Sequence, residues 1–246
     1  MYGYGYPYGF YFDPTYILVI IAYVIALIAQ TKVKSTYTKY SGVLNRAGLS
    51  GADAADAVLR SGGAFGVRIE GTQGELTDHF DPKVNVIRLS EGVYNKRTVA
   101  AAGVAAHEAG HALQYAEGYS LIKLRAAIIP VCNIAANLSW PLIIIGLFLS
   151  YSAGLEGDIG ITMIHLGIFA FSFAVLFQLI TLPVELNASR RALAALRSDG
   201  RFTEEELQGA KKVLTAAALT YVAALAGSLL QLLRILIIAS SRSKRK

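Results

Sequence analysis

Four apolar stretches, each about as long as a helix needs to cross a bilayer, constrain the fold of this chain more than any other feature. They cover residues 14–30, 126–152 and 159–182, and the last lies within a helix predicted over 203–239. A membrane-spanning helix requires about 20 predominantly apolar residues. The sequence therefore predicts a mainly α-helical integral membrane protein with about four transmembrane helices. Composition agrees, because 16% of the residues are charged, against about 25% in soluble domains.

The two ends of the chain differ from these spans in composition. Residues 1–13 form an aromatic and glycine-rich tail, and residues 240–246 form a basic tail. Aromatic side chains favour the interface between lipid and water. We expect the span over 14–30 to be kept as an anchor, because no basic segment precedes it as in a secretory signal peptide.

Residues 31–125 are the one stretch with the character of a soluble domain, and they predict a small α+β segment at the membrane edge. Polar caps before alanine-rich runs indicate helix starts, and β-branched runs indicate strands. The expected elements are a helix from Ser50 to the Gly62–Gly63 pair, strands over 66–70 and 83–89, and a helix over 98–116 capped by Thr98. The strand over 83–89 either pairs with an extended peptide along a free edge or lies inside the sheet.

Basic residues are distributed unevenly between the segments that connect the spans. Twelve lysine and arginine residues lie in 31–125 and six in 183–212, whereas residues 1–13 and 153–158 contain none. Segments rich in lysine and arginine tend to stay in the cytoplasm. The segment over 31–125 is therefore expected to face the cytoplasm, with the N-terminus outside. Four complete crossings would then place the basic tail outside, unless the last helix is re-entrant or bent near Gly227.

Charge and cysteine content exclude several classes of protein. The net charge of +6 comes from basic residues that lie between apolar runs and form no groove with stacking aromatics, so we expect a lipid bilayer as partner and no nucleic acid. The single cysteine, Cys132, cannot form an internal disulfide or a cysteine-based zinc cluster. Any metal must therefore be held by histidine and carboxylate.

The helix over 98–116 contains an H-E-x-x-H motif, His107-Glu108-Ala109-Gly110-His111. Residues four apart lie on the same face of a helix, so both imidazoles can converge on one ion. Glu108 is rotated by about 100° from His107 and can act as a general base towards water at the site. Two imidazoles with one further ligand and an open fourth position are typical of catalytic Zn²⁺. The competing interpretation is a pair of structural histidines in a packed interior.

A site of this type needs a third protein ligand. Glu185 is the preferred candidate, because it follows the third span after Pro183, a residue typical of a helix start, and so returns to the same membrane edge. We predict a separate helix over 183–200 that carries this ligand. The structural alternative is an acidic residue stabilised by the helix dipole. The remaining candidates are Glu117, Glu156, Asp78, Asp81, His79 and His165.

These motifs resemble those of the YugP-type neutral zinc metallopeptidases of prokaryotic membranes. The resemblance rests on residues 107–114, on 78–82 and 86–91 upstream, and on 182–185 and 187–191 downstream. It covers nearly the whole chain after the aromatic tail. The order of an anchor, a catalytic segment, the motif helix and further spans is also similar to that of the HtpX and CAAX-protease group of gluzincins.

The resemblance implies a zincin-like catalytic segment and a zinc endopeptidase in the prokaryotic plasma membrane. Its substrate would be a polypeptide, such as a membrane protein. One Zn²⁺ per chain would be held by His107, His111 and Glu185. Glu108 would be the general base.

The chain departs from the HtpX-like pattern at one position. That pattern, E-x-x-A-D, has an aspartate where this chain has Ser189. The group that orients a ligand histidine must then be Ser189, Asn187 or another side chain. A tetrahedral oxyanion also needs an electrophile beside the metal, and the candidates are His79, Tyr221, Arg190 and Arg191.

The sequence alone also allows other classes of membrane protein. A metal transporter would need ligands that face one another across the spans, for which His165 and Asn133 are thin support. An inactive zinc protein could act as a scaffold. A site-2-type intramembrane protease would place its motif inside an apolar span, whereas here Lys96 precedes the motif and Lys123 follows it.

Overall fold

The computed structural model describes residues 13–152 and 157–243. Most of the predicted tail over 1–13, part of the basic tail over 240–246 and the candidate ligand Glu156 lie outside these ranges.

Helices dominate the described chain, and a small sheet separates the second helix from the third. The elements in chain order are α1 Tyr16–Ser41, α2 Gly51–Ser61, β1 Arg68–Thr72, β2 His79–Asp81, β3 Val86–Ser90, α3 Val99–Ala116, α4 Ser120–Ser152, α5 Gly157–Asp199 and α6 Glu204–Ser243. Four helices, α1, α4, α5 and α6, are long and apolar enough to cross a membrane. The predicted fold class, four spans with a small α+β segment, is confirmed.

The first helix of the α+β segment begins where its capping residue predicts. The Ser50 hydroxyl accepts a hydrogen bond from the backbone amide of Asp53, and the Asp53 carboxylate accepts one from the Ser50 amide. This reciprocal capping box satisfies two amides that otherwise lack partners at a helix start. The Ser50 hydroxyl also donates to the Asp53 carboxylate, and this bond together with that from the Ser50 amide holds the pKa of Asp53 below its ordinary value.

Thr98 caps α3, the helix of the motif, in the predicted way. Its hydroxyl accepts a hydrogen bond from the Ala101 amide. Most of the alanine and glycine positions of α3 are buried, and α3 forms the core of the α+β segment with α2 and β3. Small side chains on all faces allow neighbouring elements to approach this helix closely.

The sheet has the order β1–β3–β2, with β1 parallel and β2 antiparallel to β3. β3 is therefore the central strand, and of the two alternatives for the strand predicted over 83–89 the sheet interior is correct. It begins later than predicted, because Asn85 adopts a left-handed conformation with φ of 56° that ends the preceding turn. β2 is only three residues long and was not predicted.

The predicted helix start at Pro183 is wrong. The span over 159–182 and the ligand helix over 183–200 are one continuous helix, α5, with Pro183 inside it. Proline removes one backbone donor from a helix, but α5 packs against α3, α4 and α6, and such contacts hold proline-containing membrane helices together. α4 likewise runs through Pro130 and Pro141. The last helix, α6, continues without a break through Gly227.

Candidate metal centre

The site forms where α3 crosses α5 with almost no space between the two backbones. A Cβ atom at Gly110 would overlap the backbone carbonyl of Ala188. Residues three and four apart share a helix face, so this crossing turns His107, Gly110 and His111 towards Glu185 and Ala188. The glycine inside the motif therefore sets the distance between the two histidines and the helix that carries the carboxylate.

Three ligand atoms meet at this crossing. Glu185 Oε2 lies 3.1 Å from His107 Nε2 and 3.4 Å from His111 Nε2. One ligand atom from each of the three residues lies within 4.8 Å of the others, and no further group of this kind occurs in the described ranges. Ligand atoms about 2.0–2.1 Å from a tetrahedral Zn²⁺ are roughly 3.3 Å apart. The donor set and its spacing both fit a zinc ion.

The side chains at this crossing are largely buried. Glu185 is 2% exposed, and His111 and Glu108 are each 9% exposed. Burial lowers the pKa of His111, but the hydrogen bond and the negative charge of Glu185 outweigh it, so the net pKa is raised. A buried carboxylate beside two imidazoles therefore favours a positive charge at this point, which is what a metal ion would supply.

His111 is held by a fully buried glutamine one turn further along α3. The Gln114 amide nitrogen donates to the Val184 carbonyl, at 2.8 Å, and to Asn187 Oδ1, at 2.9 Å. Both amide hydrogens are thus used within α5, so Gln114 Oε1 must face His111 Nδ1, 3.0 Å away. Nδ1 of His111 then carries the proton, and Nε2 keeps its lone pair for a metal.

His107 is held by a single hydroxyl group. Its Nδ1 lies 3.0 Å from Ser189 Oγ, and its side chain is 16% exposed. The structure thus brings Ser189 to a ligand histidine, whereas Asn187 reaches the other one only through Gln114. Arg191 donates to Asn187 and pairs with Glu117, so Glu117 lies in this supporting network and not with the three ligand atoms.

A cleft of about 190 Å³ opens beside the three ligand atoms. Glu108 lines it from α3, Glu185 from α5 and Tyr221 from α6. Leu76 and Asp78, from the connection between β1 and β2, border the same cleft. Asp78 itself is bound by the amide and hydroxyl of Ser90.

Two of the predicted site residues lie elsewhere. His79 is on β2, where its Nδ1 donates to the Thr77 carbonyl, and Arg190 lines a separate groove with Arg197 and Lys211. Neither borders the described part of the cleft.

Two residues that contact the site were missed from the sequence. Gln114 was part of the quoted motif, and its position three residues after His111 on a helix was a usable signal. Arg125, whose Nη1 lies 3.1 Å from Glu185 Oε1, gave no comparable signal, because it lies on another helix.

Comparisons with known proteins agree with this geometry. Residues 15–240 match the family model described as "Putative neutral zinc metallopeptidase". The chain is 48% identical over 221 residues to "Putative membrane protease YugP" of Bacillus subtilis (strain 168), which covers 90% of this chain and 94% of the relative. No solved structure matches the chain. The chain belongs to this neutral zinc metallopeptidase family, and the predicted resemblance is confirmed.

Proposed function

We propose that this member of the family is a membrane-integrated zinc endopeptidase with one Zn²⁺ per chain. The observation that carries the proposal is the meeting of His107, His111 and Glu185 at the distances of a tetrahedral zinc site. Glu108 lines the adjoining cleft. A transporter is not favoured, because its ligands would have to face one another across the membrane spans, whereas these lie on one short helix and the helix that crosses it.

Bound Zn²⁺ would lower the pKa of a water molecule towards about 7 and polarise the scissile carbonyl group. Glu108 would accept the proton of the attacking water and pass it to the nitrogen of the leaving amine. Its low exposure keeps the carboxylate away from bulk solvent. Glu108 is therefore proposed as the general base and not as a metal ligand, because the three converging ligand atoms belong to other residues.

Tyr221 is the proposed electrophile for the developing oxyanion. Of the four candidates, it borders the cleft with Glu108 and Glu185. Its phenol group could donate a hydrogen bond to an oxygen that gains negative charge in the transition state. Arg191 is committed to Asn187 and Glu117.

A polypeptide, such as a membrane protein, is the proposed substrate. Helix α6 forms one wall of the cleft, with Val213, Leu214, Ala217 and Ala218. The same helix is one of the four candidate membrane spans. The cleft is thus close to the level at which this helix enters the bilayer. The proposed location is the prokaryotic plasma membrane, as the family resemblance implies, and the distribution of basic residues supports a cleft on the cytoplasmic side.

The experiment that tests this proposal compares the wild-type protein with Glu108→Gln in lipid nanodiscs. Metal analysis and cleavage of an unfolded model polypeptide would be measured on the same samples. We expect about one Zn²⁺ per chain in both, and a loss of cleavage of 100-fold or more in the variant, in the range of a lost general base. Glu205→Gln, on the exposed start of α6, is the matched control and should leave both measurements unchanged. Equal cleavage by wild type and Glu108→Gln would refute the proposal.

A further inference from the structure

Arg125 on α4 contacts the oxygen of Glu185 that faces away from the histidines. Its Nη1 lies 3.1 Å from Glu185 Oε1, while Oε2 faces the Nε2 atoms of His107 and His111. The two oxygens of this carboxylate therefore have different partners. The side chains of Arg125 and Glu185 are 26% and 3% exposed, so water has little access to the ion pair.

We propose that Arg125 is a positioning residue of the metal centre, which fixes the rotation of the Glu185 carboxylate so that Oε2 alone is presented to the metal. The inference rests on the proposed function in taking Zn²⁺ as the ion. Arg125 does not line the described part of the cleft that contains Glu108 and Tyr221. It thus acts through Glu185 and has no contact with the reacting atoms.

The hydrogen bonding of Arg125 also favours a role in geometry over one in stability. Its Nε is buried and has no hydrogen-bond partner in the described parts of the chain. A desolvated guanidinium with an unsatisfied donor costs free energy that an apolar side chain would not. An arginine at this position is explained by the Glu185 carboxylate that its guanidinium holds in place. Residues that hydrogen-bond to a metal-ligating carboxylate are known to tune metal affinity.

Charge and position predict opposite effects on metal binding, which makes the inference testable. A cation beside a ligand repels Zn²⁺, so its removal would strengthen binding if charge alone mattered. If Arg125 orients Glu185, its removal releases the carboxylate and weakens binding. The sign of the change in affinity therefore separates the two effects.

The test uses the full chain in lipid nanodiscs, with Zn²⁺ affinity measured by competition with a chelator of known strength. We expect Arg125→Met to bind Zn²⁺ about 10–100-fold more weakly than wild type, and Arg125→Lys, which keeps the charge and one donor, to lose less. Lys123→Met removes an exposed cation two residues earlier on the same helix and should match wild type. Co²⁺ in place of Zn²⁺ should show an altered visible absorption spectrum in Arg125→Met, which a general loss of stability would not produce.

A second comparison confines the effect to Glu185. In a Glu185→Ala background, Arg125→Met should cause no further loss of affinity; a further loss of the same size would overturn the inference. Unchanged or tighter Zn²⁺ binding by Arg125→Met would overturn it as well. If Arg125→Met does not fold, Arg125→Lys in both backgrounds provides the same comparison, with a several-fold loss expected only when Glu185 is present. A wild-type protein without Zn²⁺ at these ligands would instead refute the proposed function.

Discussion

Two regions of this protein use the same kind of close helix contact for different purposes. Where α3 crosses α5, a Cβ atom at Gly110 would overlap the backbone of Ala188. Where α4 runs beside α5, a Cβ at Gly146 would lie 2.7 Å from the Gly160 carbonyl oxygen, and one at Gly160 would lie 2.8 Å from that of Gly146. Both contacts depend on glycine, which allows backbones to approach one another as in many membrane helix pairs.

The neighbours of the two contacts are different. Beside the α4–α5 contact lie Ile164 and Ser150, whose hydroxyl donates to the Gly146 carbonyl, and further along the same helices Ile143, Phe171 and Val175 are buried in an apolar cluster. Around the α3–α5 contact the side chains one turn away are the two histidines and Gln114 on one helix and Glu185 on the other. Close approach alone therefore only packs two helices together. The candidate metal centre forms where histidine and carboxylate side chains flank the contact, because they then reach one another across the gap.

Gly110→Ala tests the crossing at the metal centre and should have the largest effect. The added methyl group has no space beside Ala188 and must push α3 away from α5, which separates the histidines from Glu185. We expect Zn²⁺ affinity to fall by more than about 100-fold, because more than one ligand moves. The control is Gly103→Ala on the same helix, whose Cβ would lie 3.4 Å from the Ala210 Cβ and fits with minor adjustment. Equal affinities of the two variants would contradict the role given to this crossing.

Gln114→Leu comes next in expected size. The substitution preserves much of the volume but removes the acceptor for His111 Nδ1, and it removes the buried donor to the Val184 carbonyl and to Asn187 Oδ1. We expect a loss of about 10–100-fold in Zn²⁺ affinity, measured by chelator competition. The loss of these buried hydrogen bonds should lower the unfolding free energy by about 1–3 kcal/mol. An unchanged affinity would show that His111 is oriented by something other than this amide.

Ser189→Ala should weaken the site less than Gln114→Leu, although both remove the partner of a ligand histidine. His107 is the more exposed of the two, so water can replace the lost hydroxyl. We expect a loss of less than about 10-fold in Zn²⁺ affinity, below the usual range for such partners. A larger loss than in Gln114→Leu would reverse the ranking of the two supports.

Gly160→Ala should leave the metal centre unaffected. Its methyl group would press on the backbone of α4 near Gly146, and overpacking of this kind costs about 1–3 kcal/mol. The thermal midpoint of unfolding in detergent should fall while Zn²⁺ affinity stays at the wild-type value. The matched variant is Gly227→Ala, whose Cβ would meet the Ala22 Cβ at 3.9 Å and should be tolerated. A loss of Zn²⁺ binding in Gly160→Ala would mean that the two regions are coupled.

The features predictable from the sequence are those that one segment specifies by itself. Hydropathy defines the four spans, Ser50 and Thr98 define two helix starts, and the spacing of the histidines defines a metal-binding face. The choice of Glu185 also came from the sequence, since its place after the third span returned it to the membrane edge.

The features that were missed depend on contacts between segments. Pro183 has a local preference for a helix start, which the packing of α5 against its neighbouring helices outweighs. The three residues of β2 are too few to show a periodic pattern, and they form a strand only because β3 lies beside them. Arg125 gains its role from a helix distant in sequence, which no spacing rule describes.

The continuity of α5 through Pro183 fixes the distance along one helix between the proposed site of cleavage and the candidate membrane span. At about 1.5 Å per residue, Glu185 lies roughly 42 Å along the helix from Gly157, and a hydrocarbon core is about 30 Å thick. The helix that supplies this candidate membrane span thus also carries Glu185, the proposed metal ligand, at a set distance along its axis. A substrate anchored in the same membrane would have to bring its scissile bond to that level, so the fold would select peptide bonds by their depth as well as by their side chains.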